Sequence, residues 1–217
     1  MPGVAGTESD FKVLAIDSAE AVPLDQGLGW VPVRRRLGIE AFGVNAFRAP
    51  NRGEVVIEDH VESPGQEELY VVLRGSARLA IDGELVDVDA GSAVFVANPD
   101  ARRCATALME DTIVLAVGGW RGRAYHPLPL EPIYLARPAM LRGDWAAAAE
   151  TLLSEGEDQI ETAILQYRLA CCHARLGDGD RAVADLERAI EINPVYRERA
   201  AAEEAFAEIR GRGDWPA

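Results

Sequence analysis

The stretch His60-Val-Glu-Ser-Pro-Gly-Gln-Glu-Glu-Leu-Tyr-Val-Val-Leu-Arg-Gly75 places one imidazole, several carboxylates and a phenol within sixteen residues. Its composition suits extended chain, in which side chains two apart share a face. His60 then shares a face with Glu62, and Glu68 with Tyr70. Further along, Arg102 and Cys104 form a third such pair. An imidazole with two carboxylates can hold a divalent ion. A guanidinium can instead neutralise two buried carboxylates through paired hydrogen bonds. Arginine stays protonated and so cannot itself be a metal ligand.

Other candidates for chemistry are weaker. Gly118-Gly119 lacks the Lys-Ser/Thr and the helix of a phosphate loop. No nucleophile elbow is present, and no residue is singled out as catalytic. His126, in Tyr125-His126-Pro127, is expected to be exposed in a linker, and Trp30 and Trp120 to pack in the core or at its ends. The triplet Arg34-Arg35-Arg36 is expected on a solvated strand. Cys104, Cys171 and Cys172 form neither a disulfide framework nor a metal spacing, which suits a reducing compartment and a cytoplasmic protein.

The elements that must position these residues change character along the chain. Lys12–Ile16, Trp30–Arg36, Ile39–Phe47, Glu54–Glu58, Glu68–Leu73, Ser76–Ile81, Ala93–Ala97, Arg103–Met109 and Thr112–Val117 read as strands. Asp82-Gly83 between two of them is a hairpin turn signal. Many short strands at this spacing predict an all-β barrel or jelly roll over residues 11–120. Residues 1–10 read as a disordered tail, and the proline-bearing stretch 121–136 as a linker. From 137 to 217 the apolar spacing becomes three to four, as in amphipathic helices. Helices are expected over Arg142–Leu153, Gln159–Leu176, Asp180–Ile190 and Tyr196–Arg210.

The 217 residues are 48% apolar, enough for a normal core, and carry a net charge of −14. The charge is even: 12 basic and 19 acidic residues in 1–130, 10 and 17 in 131–217, so each part carries −7. Such a surface disfavours nucleic acid and anionic membranes as partners. No apolar run of spanning length occurs, and the first ten residues lack the pattern of a signal peptide.

The segment from His60 to Gly75 resembles the first motif of the cupins, and the resemblance extends over roughly residues 28–120. In that family a Gly precedes a His-x-His pair, followed by a Glu and then a Gly. Gly53 lies near the first position, His60 matches the first His, and Glu62 stands where the second is expected. Glu68 matches the family's Glu by its distance from Gly75, with Glu67 as an alternative. In the second motif Gly91 is kept, and Arg102 stands where the last His would be. The resemblance implies a pocket formed by His60, Glu62, Glu68, Tyr70, Arg102 and Cys104. Either Arg102 replaces the ion and faces Glu62 or Glu68, which is the reading preferred at this point, or His60, Glu62 and Glu68 still hold a divalent metal.

Gly143, Gly177 and Gly211 recur at 34 residues, the period of the tetratricopeptide repeats. Residues 163–196 resemble one such repeat, with Leu169 and Ala170 on its first helix, Gly177-Asp178 at its turn, and Ala182, Leu186 and Ala189 on its second. The expected fold class is therefore α+β multidomain: an all-β cupin-like barrel or jelly roll, then a short all-α tetratricopeptide-like unit. The expected function is a degenerate cupin that binds a small polar or acidic metabolite without a cofactor, its helices mediating assembly or partner binding. The alternatives are a metal-dependent dioxygenase or isomerase using His60, Glu62 and Glu68, and a protein-interaction scaffold. Short repeat arrays leave apolar faces uncovered, so a homodimer is expected.

Overall fold

A computed structural model describes residues 11–127, 130–156 and 162–216. The tail 1–10 lies outside the described residues. The chain divides into two compact units between His126 and Pro127.

The first unit contains ten strands among the described residues: β1 (Val22–Pro23), β2 (Gly29–Val31), β3 (Gly43–Ala49), β4 (Val55–His60), β5 (Gln66–Arg74), β6 (Ser76–Ile81), β7 (Glu84–Asp89), β8 (Ala93–Val96), β9 (Arg103–Ala107) and β10 (Thr112–Trp120). They form two sheets whose pairings are all antiparallel, in the orders β1-β2-β3-β10-β5-β8 and β4-β9-β6-β7. Alternation along β5 puts Gln66, Glu68, Tyr70 and Val72 inward. Between the sheets Val56, Tyr70, Leu79, Ala105 and Val114 make a continuous core. The other face of β3 and β10 is covered by the chain before β3, through Val31, Val33 and Leu37 against Val44, Ala46 and Ile113.

Turn chemistry closes the hairpins. Asp82 and Gly83 both adopt positive φ, 49° and 87°, and pair Ile81 with Glu84, the turn that Asp-Gly favours. Gly75 turns β5 into β6 at φ 73°, and a Cβ there would lie 2.5 Å from the Thr112 hydroxyl oxygen. No larger residue fits.

One expected strand is absent, and the one expected over Trp30–Arg36 is present only as far as Val31. Lys12–Ile16 is irregular and leads into a short 3-10 turn. Arg34-Arg35-Arg36 lies in α1 (Val33–Leu37), not on a strand. Pro32 pre-sets the backbone at its start, and Gly38, left-handed at φ 70°, donates its N–H to the Arg34 and Arg35 carbonyls at its end. These local signals outweigh the β-like surroundings.

The second unit comprises α2 (Leu130–Leu141), α3 (Trp145–Glu155), α4 (Ala163–Arg175), α5 (Gly179–Ile192) and α6 (Val195–Ala202). The helix α2 begins within the stretch read as a linker and continues through Pro138. Consecutive helices from α2 to α6 pack on one another, and α6 also meets α4 through Tyr196 and Tyr167. The turns before α3 and α5 are copies. Gly143 and Gly177 have φ 72° and 77°, and Asp144 and Asp178 cap the following helices by accepting from the Ala147 and Arg181 N–H groups. Small residues, Ala170, Ala182 and Ala189, let α4 and α5 approach around Leu186. The helix expected to reach Arg210 ends at Ala202, because Glu203 turns extended and caps a short 3-10 turn with its carboxylate. Phe206, Tyr167, Tyr196 and Trp215 then close that end as an aromatic cluster.

Candidate metal centre

At one end of the sandwich, His60 closes β4, Glu62 follows it in the loop, and Glu68 and Tyr70 rise inward from β5. The Glu62 backbone is fixed by its N–H, which donates to the Pro99 carbonyl at 2.9 Å. His60 Nε2 lies 3.5 Å from Glu62 Oε1 and 3.5 Å from Glu68 Oε2. Its Nδ1 is 2.7 Å from the Glu58 carbonyl oxygen. A carbonyl can only accept, so Nδ1 carries a proton, and a neutral ring would present a bare lone pair at Nε2. The Tyr70 hydroxyl donates to Glu68 Oε2 and lies 3.4 Å from His60 Nε2.

One imidazole nitrogen and two carboxylate oxygens thus come together at one place. All three ligand atoms lie within 4.8 Å of one another. Such a set needs positive charge, supplied by a proton on Nε2 or by a cation. In the protonated case, burial pushes the His60 imidazole down. The bonds to Glu62, Glu68 and the Glu58 carbonyl, with the charge of Glu68, outweigh it and raise the group to about 10. Burial, then the charge and hydrogen bond of Glu68, raise the Tyr70 phenol, which stays protonated.

A divalent ion also fits. Ligand atoms about 2.1 Å from a common ion at right or tetrahedral angles lie roughly 3.0–3.4 Å apart, close to the 3.5 Å found from His60 to each carboxylate. One imidazole and two carboxylates are donors that suit first-row divalent metals.

The structure corrects the place of Arg102. It points outward with its side chain 69% exposed, and its guanidinium bonds Asp59 Oδ2 at 2.6 Å and 3.1 Å. Neither Glu62 nor Glu68 is its partner. Cys104 shares this outward parity: it is half-buried, while Arg103, Ala105 and Ala107 beside it on β9 are buried. The inward guanidinium is that of Arg103, 1% exposed and paired across the sheet with His60. Its two terminal nitrogens donate to the Asn98 and Pro99 carbonyls at 2.9 Å and 3.4 Å. Its Nε has no hydrogen-bond partner and lies 4.0 Å from Glu68 Oε2. Arg103 was legible in principle, because Ala101, Ala105 and Ala107 set an inward parity of small residues that includes it.

The weaker candidates lie elsewhere. Trp30 is fully buried, Trp120 stacks on Tyr125 with centroids 5.9 Å apart, and His126 is exposed. The three cysteines are free thiols. No described helix is long and apolar enough to cross a membrane.

No protein-family model matches the chain, and a search of curated proteins finds no match. Solved structures similar to it include cupins. A cupin protein from Bacteroides fragilis is 20% identical over 56% of this chain and 93% of its own, with a TM-score of 0.41. An RmlC-like cupin from Shewanella frigidimarina is 14% identical over 53% of this chain and 95% of its own, with a TM-score of 0.39. A sugar phosphate isomerase of the cupin superfamily from Silicibacter pomeroyi is 19% identical over 54% of this chain and 77% of its own, with a TM-score of 0.41.

Proposed function

We propose that the β-sandwich is a cupin-type domain that holds a divalent metal ion through His60 Nε2, Glu62 and Glu68, and that the open positions of the ion take a small polar ligand. The carrying observation is that His60 Nε2 lies 3.5 Å from an oxygen of each of the two carboxylates while Nδ1 of the same imidazole is committed to the Glu58 carbonyl. Three protein ligands leave coordination positions for an exogenous group. The ion would supply Lewis acidity there. The chain's own residues orient it: Glu58 fixes the His60 tautomer, and Tyr70 holds Glu68 by hydrogen bonding.

The outward turn of Arg102 favours this reading over the one in which that residue replaces the ion. A second, ion-free reading rests on Arg103. With His60 protonated, the charges of His60 and Arg103 cancel those of Glu62 and Glu68, and the pocket binds a polar ligand without metal. Elemental analysis of protein purified without chelator separates the two. About one equivalent of a transition metal, absent from His60→Ala, is expected; a metal-free wild-type protein that takes up none on incubation contradicts the proposal.

The helical unit is read as a tetratricopeptide-like pair that mediates assembly, because its two capped turns repeat at 34 residues. A groove of about 700 Å³ lined by Ala146, Leu153, Leu176 and Arg181 among others offers a surface for a protein partner. A homodimer is the assembly proposed, and light scattering at micromolar concentration tests it: a monomer mass that persists on concentration rules it out.

A further inference from the structure

We infer that Arg103 acts as a fixed positive charge that makes the metal centre select small anions, of the carboxylate class, over neutral ligands. The inference rests on the metal reading above and deepens it. The charges within the site are few. Glu62 and Glu68 bring −2, a metal-ligating imidazole is neutral, and a divalent ion cancels the carboxylates. Arg103 then leaves one unit of positive charge.

That charge is held in place. Its side chain is 1% exposed, its terminal nitrogens are occupied by the Asn98 and Pro99 carbonyls, and its Nε faces Glu68 without a hydrogen bond. Arg103 is therefore held away from solvent, ion-paired with Glu68 at 4.0 Å but without a hydrogen bond to it. Carboxylates Glu62 and Glu68 are also shielded, with side chains 9% and 10% exposed. At low local dielectric a buried unit charge a few ångströms away is felt strongly by anything that binds the ion.

This arrangement carries a cost and a gain of opposite sign. Arg103 repels the metal ion and so weakens its binding. It attracts an anion that completes the coordination sphere. Because its terminal nitrogens are committed to the Asn98 and Pro99 carbonyls, Arg103 acts through space on the ligand, as a positioning charge and not as a catalytic residue. A residue that merely supported the fold would weaken both events together when removed.

The test uses the full-length protein loaded with Co2+, whose visible spectrum reports changes in coordination. Titration with acetate is expected to shift the absorption bands, and titration with acetamide, of similar size and neutral, is not. Arg103→Gln is expected to bind Co2+ about tenfold more tightly and acetate about tenfold more weakly. Arg103→Lys, which keeps the charge, should stay near wild type on both. If Arg103→Gln fails to fold, Arg103→Met, which keeps the apolar stem without the charge, is measured in its place and carries the same expectation. Equal binding of acetamide and acetate, or an Arg103→Gln effect of the same sign on both affinities, overturns the inference. A wild-type protein that binds no Co2+ overturns the metal reading and this inference with it, whereas Co2+ binding without acetate binding overturns only the inference.

Discussion

The sandwich and the helical unit treat polar groups differently. In the sandwich, Glu68 and Arg103 are 8% and 1% exposed and crowd one end of the core with His60, Glu62 and Tyr70. In the helical unit the buried residues are chiefly alanines, leucines and aromatics. Its one buried charged side chain among the described residues, Glu131, lies in the first turn of α2, where a helix favours a carboxylate. Its partly buried His173 is paired with Asp185 at 2.6 Å. A buried charge costs stability unless it is compensated. In the helical unit these two groups lie apart, each with its own local setting, while the sandwich gathers His60, Glu62, Glu68 and Arg103 in one place. That clustering is what distinguishes the end of the sandwich as a candidate ligand site.

Four predictions break or sharpen this contrast. His60→Ala should reduce divalent metal affinity by more than the roughly 10–100-fold that follows loss of a residue supporting a ligand. Isothermal titration calorimetry measures it, and unaltered affinity would remove the contrast altogether. Leu186→Ala, at a fully buried position between α4 and α5, should lower stability by about 2–5 kcal/mol in chemical denaturation. Metal affinity should not change, since Leu186 lies in a different compact unit from His60, Glu62 and Glu68.

The third prediction concerns pH. His60 in the metal-free protein is raised to about 10, so it must lose a proton when a metal binds. Affinity should rise about tenfold per pH unit between roughly 6 and 9, with about one proton released per ion near neutrality. Calorimetry in buffers of different ionisation enthalpy reads the proton count, and zero protons would contradict the charge assignment. Because the folded group lies above its unfolded value of about 6.5, its contribution to the metal-free protein is fully present below that pH. The contribution is lost progressively from about pH 6.5 as pH rises through about 10, which thermal melts from about pH 6 to 10 should show.

The smallest effect belongs to the caps. Asp178→Ala removes the acceptor of the Arg181 N–H and should cost about 1 kcal/mol by chemical denaturation. Asp144→Ala, its counterpart 34 residues earlier, should cost a similar amount if the two turns are equivalent.

What could be read from the sequence follows the range of the forces involved. The Asp82-Gly83 hairpin, the Gly75 turn and the Asp178 cap are set by neighbours in the chain, and local signals expose them. His60, Glu62 and Glu68 were legible as residues, and the structure brings them together. Arg102 was not placed correctly, because the inward parity of β9 is carried only by the small residues Ala101, Ala105 and Ala107, a faint local signal that puts Arg103 inward. The shifts that bring Arg103 opposite His60 lie in the pairing of β4 with β9, between Val55 and Ile57 and between Ile57 and His60, and no local signal announces them. The three arginines 34–36 failed for the reverse reason: the β-like surroundings suggested a strand, while Pro32 and Gly38 specify one helical turn.

Anomalous diffraction from crystals of the full chain soaked in Mn2+ tests the central claim most directly. The account predicts one strong peak about 2.0–2.3 Å from His60 Nε2 and from one oxygen each of Glu62 and Glu68. No peak there at millimolar Mn2+, with His60 Nε2 still held between the two carboxylates, would contradict it.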